Sequence, residues 1–202
     1  TPWCLLAMKI LFVLFFILNI HSTTSWSAPQ ISQIGKHHPI LLVEKNVNPD
    51  NTMVVYTKTD EKCQFDSETN GNKSILFDFY WLMNRKDYKP VHKAIKKEIR
   101  KSMQIDKSAK VDANKFTVKL TNLEKVKTDI SDPRLTVTSK ILEGKCKVEG
   151  LIQLGPSDDN AQIRLDSLYT EGRKFPPAVF SVTLKGVNMK TGKPIARTYR
   201  AP

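Results

Sequence analysis

The chain of 202 residues carries 32 Lys and Arg against 20 Asp and Glu, a formal net charge of +12 at neutral pH. This length is typical of a single domain, and the positive charge favours anionic partners such as phospholipid head groups, acidic envelope polymers or nucleic acid. With 4 His and 8 Gly, the chain is poor in the residues that build most metal sites and phosphate-binding loops.

The N-terminus has the three parts of a secretory signal peptide. Met8 and Lys9 supply a start and a positive charge, an unbroken apolar run covers residues 10–18, and a stretch of small and polar residues ends at Ser27. A membrane anchor is the alternative, but a span needs about 20 apolar residues and Asn19 interrupts this run early. We therefore predict cleavage after Ser27, export to the periplasm or out of the cell, and a mature protein that is not an integral membrane protein.

The predicted organisation is simple. Residues 1–27 are upstream residues and the cleavable signal peptide, and residues 28–202 form a single β-rich domain. Residues 28–51, which contain several turn-forming residues, are a lead-in to that domain. Export makes nucleic acid the poorest of the anionic partners, so we expect an anionic envelope surface or a protein partner, and no nucleic acid.

Strands are predicted at the start of the domain over residues 40–43 and 53–57, and the most apolar stretch follows over residues 75–83. A run this apolar is typical of a strand that is buried on both faces. Its aromatic residues, Phe79 and Trp81 among them, either fill the core or line a pocket for a hydrophobic ligand. Filling the core is the more common of these two roles.

One amphipathic helix is predicted, over about residues 90–103. Pro90 suits a first helical turn, and apolar residues recur at helical spacing on one side as far as Met103. The opposite side is a candidate surface for an anionic partner, and it carries Lys93, Lys96, Lys97, Arg100 and Lys101. The alternative is a solvated outer face on a helix that packs against the sheet.

From Lys115 onwards, apolar residues alternate with polar ones, which is the period of a half-buried strand. On one of these strands Leu135, Val137 and Ile141 share a face. Turns interrupt the alternation at residues 155–158 and 188–192. The pattern predicts a mostly β fold, an antiparallel β-sandwich or barrel of about eight strands with the one helix.

Two cysteines, Cys63 and Cys146, remain in the mature chain. An oxidising compartment allows them to form a disulfide, but their spacing leaves a bond and two independent thiols equally open. Without a CxxC motif or converging histidines, they do not indicate a zinc site.

Three other patterns do not reach a functional motif. Asp66, Glu68 and Asn70 resemble half of a calcium loop, but Phe77 stands where a bidentate glutamate should be, so an ordinary loop is predicted. The adjacent residues 37 and 38 are histidines that would point to opposite faces of an extended chain, and we interpret them as part of a mobile terminal segment. The acids at 158 and 159 are interpreted as turn formers. We predict no catalytic residue, metal site or cofactor.

Four short segments stand out together: NPDNTMVVY over residues 48–56, FDFYWL over 77–82, VTLKGV over 182–187 and TGKP over 191–194. In this combination the chain resembles a family of exported bacterial proteins known only as a domain of unknown function. The resemblance covers about residues 43–202 and implies a bacterial, periplasmic protein. It implies no activity, because the family has no assigned catalytic residues. The lysine-rich helix and the two cysteines depart from the family pattern.

The sequence therefore predicts a non-enzymatic binding or envelope-associated protein. A β-barrel carrier of a hydrophobic small molecule is the alternative, and a hydrolase whose site assembles from scattered loop residues is a third. An enclosed apolar pocket at Phe79 and Trp81 would favour the carrier, whereas a cleft with converging titratable groups would favour an enzyme.

Overall fold

The structure is a computed structural model that describes residues 31–45, 52–65, 77–83, 87–93, 96–97, 99, 103–105, 112–173 and 178–202. The predicted signal peptide, residues 1–27, and the acidic loop at residues 66–70 lie outside the described residues. Within those ranges the fold is mostly β, as predicted. The strands are β1 (His37–Lys45), β2 (Thr52–Lys58), β3 (Asp78–Met83), β4 (Asp87–Pro90), β5 (Met103–Ile105), β6 (Lys115–Leu120), β7 (Arg134–Leu142), β8 (Lys145–Gln153), β9 (Gln162–Arg173), β10 (Ala178–Asn188) and β11 (Pro194–Arg200).

The described strands form one open, mixed sheet in which β9 is the branching strand. Along one edge of β9, residues 162–164 pair antiparallel with β8 and residues 167–170 pair parallel with β1. Strand β10 pairs with the other edge and carries β11. The sheet therefore divides at β9 into two arms, β1–β4 and β5–β8. The predicted antiparallel sandwich or barrel of about eight strands is not confirmed, because there are more strands, one pair is parallel, and the sheet stays open.

The two arms face each other across the main core. The ring of Phe65, after β2, lies edge-on to Phe116 of β6 with centroids 4.7 Å apart, and Phe77 contacts the same ring at 5.4 Å. Gly150 of β8 allows β1 to pass closely, since a Cβ there would lie 2.9 Å from Cγ2 of Ile40 and 3.1 Å from Cδ1 of Leu135. Burial of apolar side chains from both arms in one cluster is the main stabilising contribution.

A second, smaller cluster covers the outer face of the β1–β4 arm and contains Leu42, Val54, Tyr56 and Leu82. The N-terminal lead-in covers it through Ser32, whose carbonyl accepts a hydrogen bond from the Tyr56 hydroxyl at 3.0 Å. Because residues alternate in direction along β3, Phe79 faces the main core while Leu82 faces this cluster. Each face of β3 thus contributes a buried residue to a cluster, as predicted, although Tyr80 and Trp81 are only partly buried and β3 lies next to the edge strand β4.

The predicted helix over residues 90–103 is wrong in its extent. Pro90 ends β4, and Met103 begins β5, where it pairs with Leu120 and is buried. Between them the described helical residues are Lys93, Lys96, Lys97 and Ile99, and no helix of seven or more residues occurs in the described chain. The residues at the two ends of the predicted helix belong instead to β4 and β5, the edge strands of the two arms. A helical period alone therefore did not distinguish one long helix from two short strands.

Candidate functional site

The hairpin of β7 and β8 ends in an exposed apolar turn. Glu143 and Gly144 connect the strands with positive φ angles of 50° and 72°, the conformation of a tight two-residue hairpin turn. Just before the turn, Ile141 is 61% exposed and Leu142 is 49% exposed. Consecutive residues point to opposite faces of a strand, so the hairpin end is apolar on both faces. We call residues 141–145 the tip.

Lysines surround the tip. Lys145 is the cross-strand partner of Leu142, and Lys140 faces Lys147 two residues further from the turn. Lys140 and Lys147 both form ion pairs with Glu149. Their Nζ atoms lie 3.4 Å and 2.9 Å, respectively, from its carboxylate oxygens. Lys145 is exposed and contacts no carboxylate within the described ranges.

Glu149 is almost fully buried, and its ionisation depends on its lysine partners. Burial alone would raise the pKa of this carboxyl, but the hydrogen bonds and charges of Lys147 and Lys140 outweigh it and lower the pKa below its ordinary value. The two lysines are therefore partly neutralised, and Lys145 is the cation of the tip that remains available to a partner.

A disulfide fixes the base of the tip. Cys63 and Cys146 are bonded, with their Cα atoms 5.3 Å apart, which settles a pairing that the sequence left open. Cys146 is the cross-strand neighbour of Ile141. The carbonyl of Cys63 accepts hydrogen bonds from Ser139 Oγ at 2.6 Å and from Asn114 Nδ2 at 3.1 Å. Covalent and polar links from both arms thus converge next to the tip.

The two adjacent histidines begin β1, so their assignment to a mobile terminal segment was wrong. They do point to opposite faces. Nε2 of His38 lies 3.0 Å from Oγ1 of Thr59, which is itself 3.6 Å from Sγ of Cys146. Burial, followed by the charge of neighbouring His37, lowers the pKa of His38 below its ordinary value. His38 is therefore a neutral, buried part of the tip's base.

His37 faces the opposite side, where the predicted basic surface begins. Its Nε2 lies 3.8 Å from Oδ2 of Asp78, and the other carboxylate oxygen of Asp78 accepts a hydrogen bond from Lys96. Burial would raise the pKa of Asp78, but the bond from Lys96 and one from the backbone of Phe79 lower it overall. Lys96 is thus committed to an internal ion pair.

Of the other predicted basic residues, Lys93 and Lys97 are exposed, and Arg100 and Lys101 lie outside the described residues. We call Lys93, Lys96 and Lys97 the basic turn. His37, which contacts Asp78, is the first residue of β1, and Asp78, which binds Lys96, is the first residue of β3. Thr59, which contacts Cys146, follows the last residue of β2. The basic turn and the tip therefore lie at the same end of the β1–β4 arm.

The predicted pocket residues belong to the packed interior. Phe79 is fully buried in the main core, and Trp81 packs against that core while partly exposed. In the described part of the chain, no three His, Cys, Asp or Glu side chains are grouped so that they could hold a metal ion. The same residues contain no helix that is long and apolar enough to cross a bilayer.

Sequence reasoning missed the tip, because alternation assigned Ile141 to the core-facing side of its strand. It also missed a cluster at the other end of β8, where Arg197 pairs with the buried carboxylate of Asp158. Asp158 does form a turn, within a short 3-10 segment, but its side chain also contributes to packing. This ion pair has no local sequence signal, since Asp158 and Arg197 lie 39 residues apart in the chain.

Comparison with known proteins returned no match: no family matches the chain, and no curated protein or solved structure is significantly similar to it. The resemblance to the exported bacterial family therefore stays a prediction. A function can be proposed from the geometry of the tip and of the basic turn.

Proposed function

We propose that this protein is a non-enzymatic binding module that attaches to an anionic lipid surface of the cell envelope through the tip. The observation that carries the proposal is the exposure of Ile141 and Leu142 at the end of a disulfide-anchored hairpin, with Lys145 beside them. Apolar side chains in this position can enter the acyl boundary of a bilayer while neighbouring amines remain at the head groups.

The expected affinity of this attachment is weak and reversible. Full burial of an Ile or Leu side chain contributes about 1.5–3 kcal/mol, so burying the exposed halves of Ile141 and Leu142 contributes about 2 kcal/mol in total. A lysine near an anionic surface adds about 1 kcal/mol. The basic turn, at the same end of the arm, supplies Lys93 and Lys97 as further cations, so several small contributions act together.

The apolar contribution is tested by co-sedimentation of the full chain with vesicles of phosphatidylcholine alone or mixed with phosphatidylglycerol. The double variant Ile141→Ser with Leu142→Ser should bind the mixed vesicles about 30-fold more weakly, since about 1.4 kcal/mol is a factor of ten. Met189→Ser is the matched control, because Met189 is an exposed apolar residue in a different turn. Its binding should equal that of the parent.

The charge contribution is tested in the same assay at low and moderate salt. Lys145→Gln, and separately Lys93→Gln with Lys97→Gln, should each weaken binding to the anionic vesicles and reduce its dependence on salt. Equal binding of the parent to neutral and anionic vesicles, or no loss in the Ile141 and Leu142 double variant, would contradict the proposal. Unfolding by denaturant should be nearly unchanged in these surface variants.

A further inference from the structure

The two cysteines of the Cys63–Cys146 disulfide differ in exposure. Cys63 is 1% exposed and lies under the contacts that its carbonyl makes with Ser139 and Asn114. Cys146 is partly exposed on β8, beside the tip. An external thiolate must reach a sulfur along the axis of the disulfide, so we expect it to attack the sulfur of the more exposed cysteine, Cys146.

Two polar side chains, Thr59 and His38, lie next to the sulfur of Cys146. The hydroxyl of Thr59 lies 3.6 Å from Sγ of Cys146 and 3.0 Å from Nε2 of His38. Both residues are buried, and a disulfide sulfur needs no hydrogen-bond donor. A thiolate at Cys146 gains from one, because a hydrogen bond to a charged acceptor is stronger than one to a neutral sulfur. Thr59 and His38 are therefore arranged for the reduced form of Cys146.

We propose that Cys63–Cys146 is an exchangeable disulfide, opened by a dithiol reductant at Cys146, and that its redox state controls the tip. This inference concerns the regulation of the lipid-binding site and rests on the proposed function in that respect. The exchange itself does not depend on lipid binding.

The reaction has two steps. A thiolate of the dithiol attacks Sγ of Cys146, the disulfide breaks, and its electron pair leaves on Sγ of Cys63, which takes up a proton. The second thiolate of the reductant then attacks its own sulfur in the mixed disulfide and becomes a cyclic disulfide. Sγ of Cys146 leaves as a thiolate, which Thr59 stabilises by donating its hydroxyl proton in a hydrogen bond. The protein gains two electrons and, with Cys146 left as a thiolate, one proton. The dithiol loses two electrons and two protons, and its second proton goes to solvent.

Reduction affects the tip because of where Cys146 lies. It faces Ile141 across the hairpin and is the residue after Lys145. The bond holds this end of β8 to the loop after β2, so opening it leaves the tip without its covalent link to the β1–β4 arm. A hairpin end that loses such an anchor samples more conformations and binds with a larger entropic cost.

The site of attack is measured on the parent protein. The folded protein is incubated with glutathione, and trapped mixed disulfides are mapped by mass spectrometry. Glutathione should be found on Cys146 and not on Cys63. Attachment to Cys63, or to both equally, would overturn the assignment of Cys146 as the site of attack.

The role of Thr59, a positioning residue, is measured in the second step, as the rate at which the mixed disulfide of Cys146 with dithiothreitol releases the Cys146 thiol. Thr59→Val should slow release about tenfold, and Thr59→Ser, which keeps the hydroxyl, should restore it. Thr57→Val is the matched control, because Thr57 is also a buried threonine of the same segment but its hydroxyl has no partner among the described residues. Equal rates in Thr59→Val and Thr59→Ser would overturn this role, and the glutathione experiment stands without either variant.

Control of the tip is measured by hydrogen exchange over residues 140–147 in the oxidised and reduced parent. Exchange should rise at least tenfold on reduction, and binding to the mixed vesicles should fall severalfold. Unchanged exchange would overturn the coupling between disulfide and tip. If the oxidised parent does not bind the vesicles, the proposed function fails, while the exchange and thiol-release results still decide the redox inference.

Discussion

The two ends of β8 are attached to the rest of the fold by different kinds of interaction. At the end that carries the tip, Cys146 is bonded covalently to Cys63, and buried hydroxyls and a neutral histidine surround the bond. At the other end, about 25–30 Å away for a strand of this length, charged groups provide the closure. There Arg197 pairs with Asp158.

The charged end has a second link between its loops. The carboxylate of Asp129 accepts hydrogen bonds from the backbone and the hydroxyl of Ser157, and these bonds lower the pKa of Asp129. That carboxylate lies so close to Gly155 that a Cβ there would approach its atoms within 2.5 Å. The disulfide stabilises the tip's end mainly by restricting the unfolded chain, whereas the other end is stabilised by contacts that exist only in the folded state.

The largest expected effect is the loss of the covalent closure. Cys63→Ser with Cys146→Ser should lower the free energy of unfolding by about 4 kcal/mol, because the bond closes a loop of 83 residues. Denaturant titration of the double variant against the oxidised parent measures it. The reduced parent is the control and should resemble the variant. A loss below about 1 kcal/mol would mean that the tip's end does not depend on chain entropy.

The next effect concerns the charged closure. Arg197→Met should destabilise the protein by about 2 kcal/mol, because it leaves the carboxylate of Asp158 buried without its cation. The figure is below that for a fully buried pair, because the Arg197 side chain is 47% exposed. Arg197→Lys should recover part of the loss. Asp158→Asn in the Arg197→Met background should recover more, and a failure to recover would show that the two groups are not coupled.

The smallest effect is a pH dependence confined to the tip's end. The pKa of His38 is lower in the folded protein than in the unfolded chain, so the unfolded chain binds more protons as the pH falls below about 6.5. The free energy of unfolding should therefore decrease on acidification below that pH, by at most about 1.4 kcal/mol per pH unit, until the folded pKa is reached. Denaturant titrations between pH 7.5 and 5 measure the slope. His38→Gln should flatten it.

Much of the second half of the fold could be predicted from sequence. The strict alternation after Lys115 corresponds to β6–β11, and the apolar run at Phe79 corresponds to β3. These strands have strong periodicity, and most of them pair with neighbours in the chain, so local pattern and tertiary pairing agree. The turn at residues 188–192 is also local, since Asn188 Oδ1 accepts from the backbone of Lys190 and Thr191.

Other elements depend on pairings that the local sequence pattern does not specify. Met103 and Pro90 fit a helical period, yet each pairs with a strand edge that no local signal specifies. Ile141 has the alternation of a core residue, but its hairpin continues past the core and leaves it exposed. The candidate site could not be predicted for this reason. The exposure of its residues depends on how far the β7–β8 hairpin extends beyond the opposite arm, and the sequence pattern does not contain that length.

The parallel pairing of β1 with β9 has a consequence for how the chain folds. Leu42 finds its partner in Ser167, so the first strand stays incomplete along one edge until nearly the whole polypeptide is present. Pairings over such sequence distances require the closure of long loops and slow the search for the native state. A newly made chain would therefore remain unfolded for longer than one built from local hairpins, and its unpaired strand edges would stay exposed during that time.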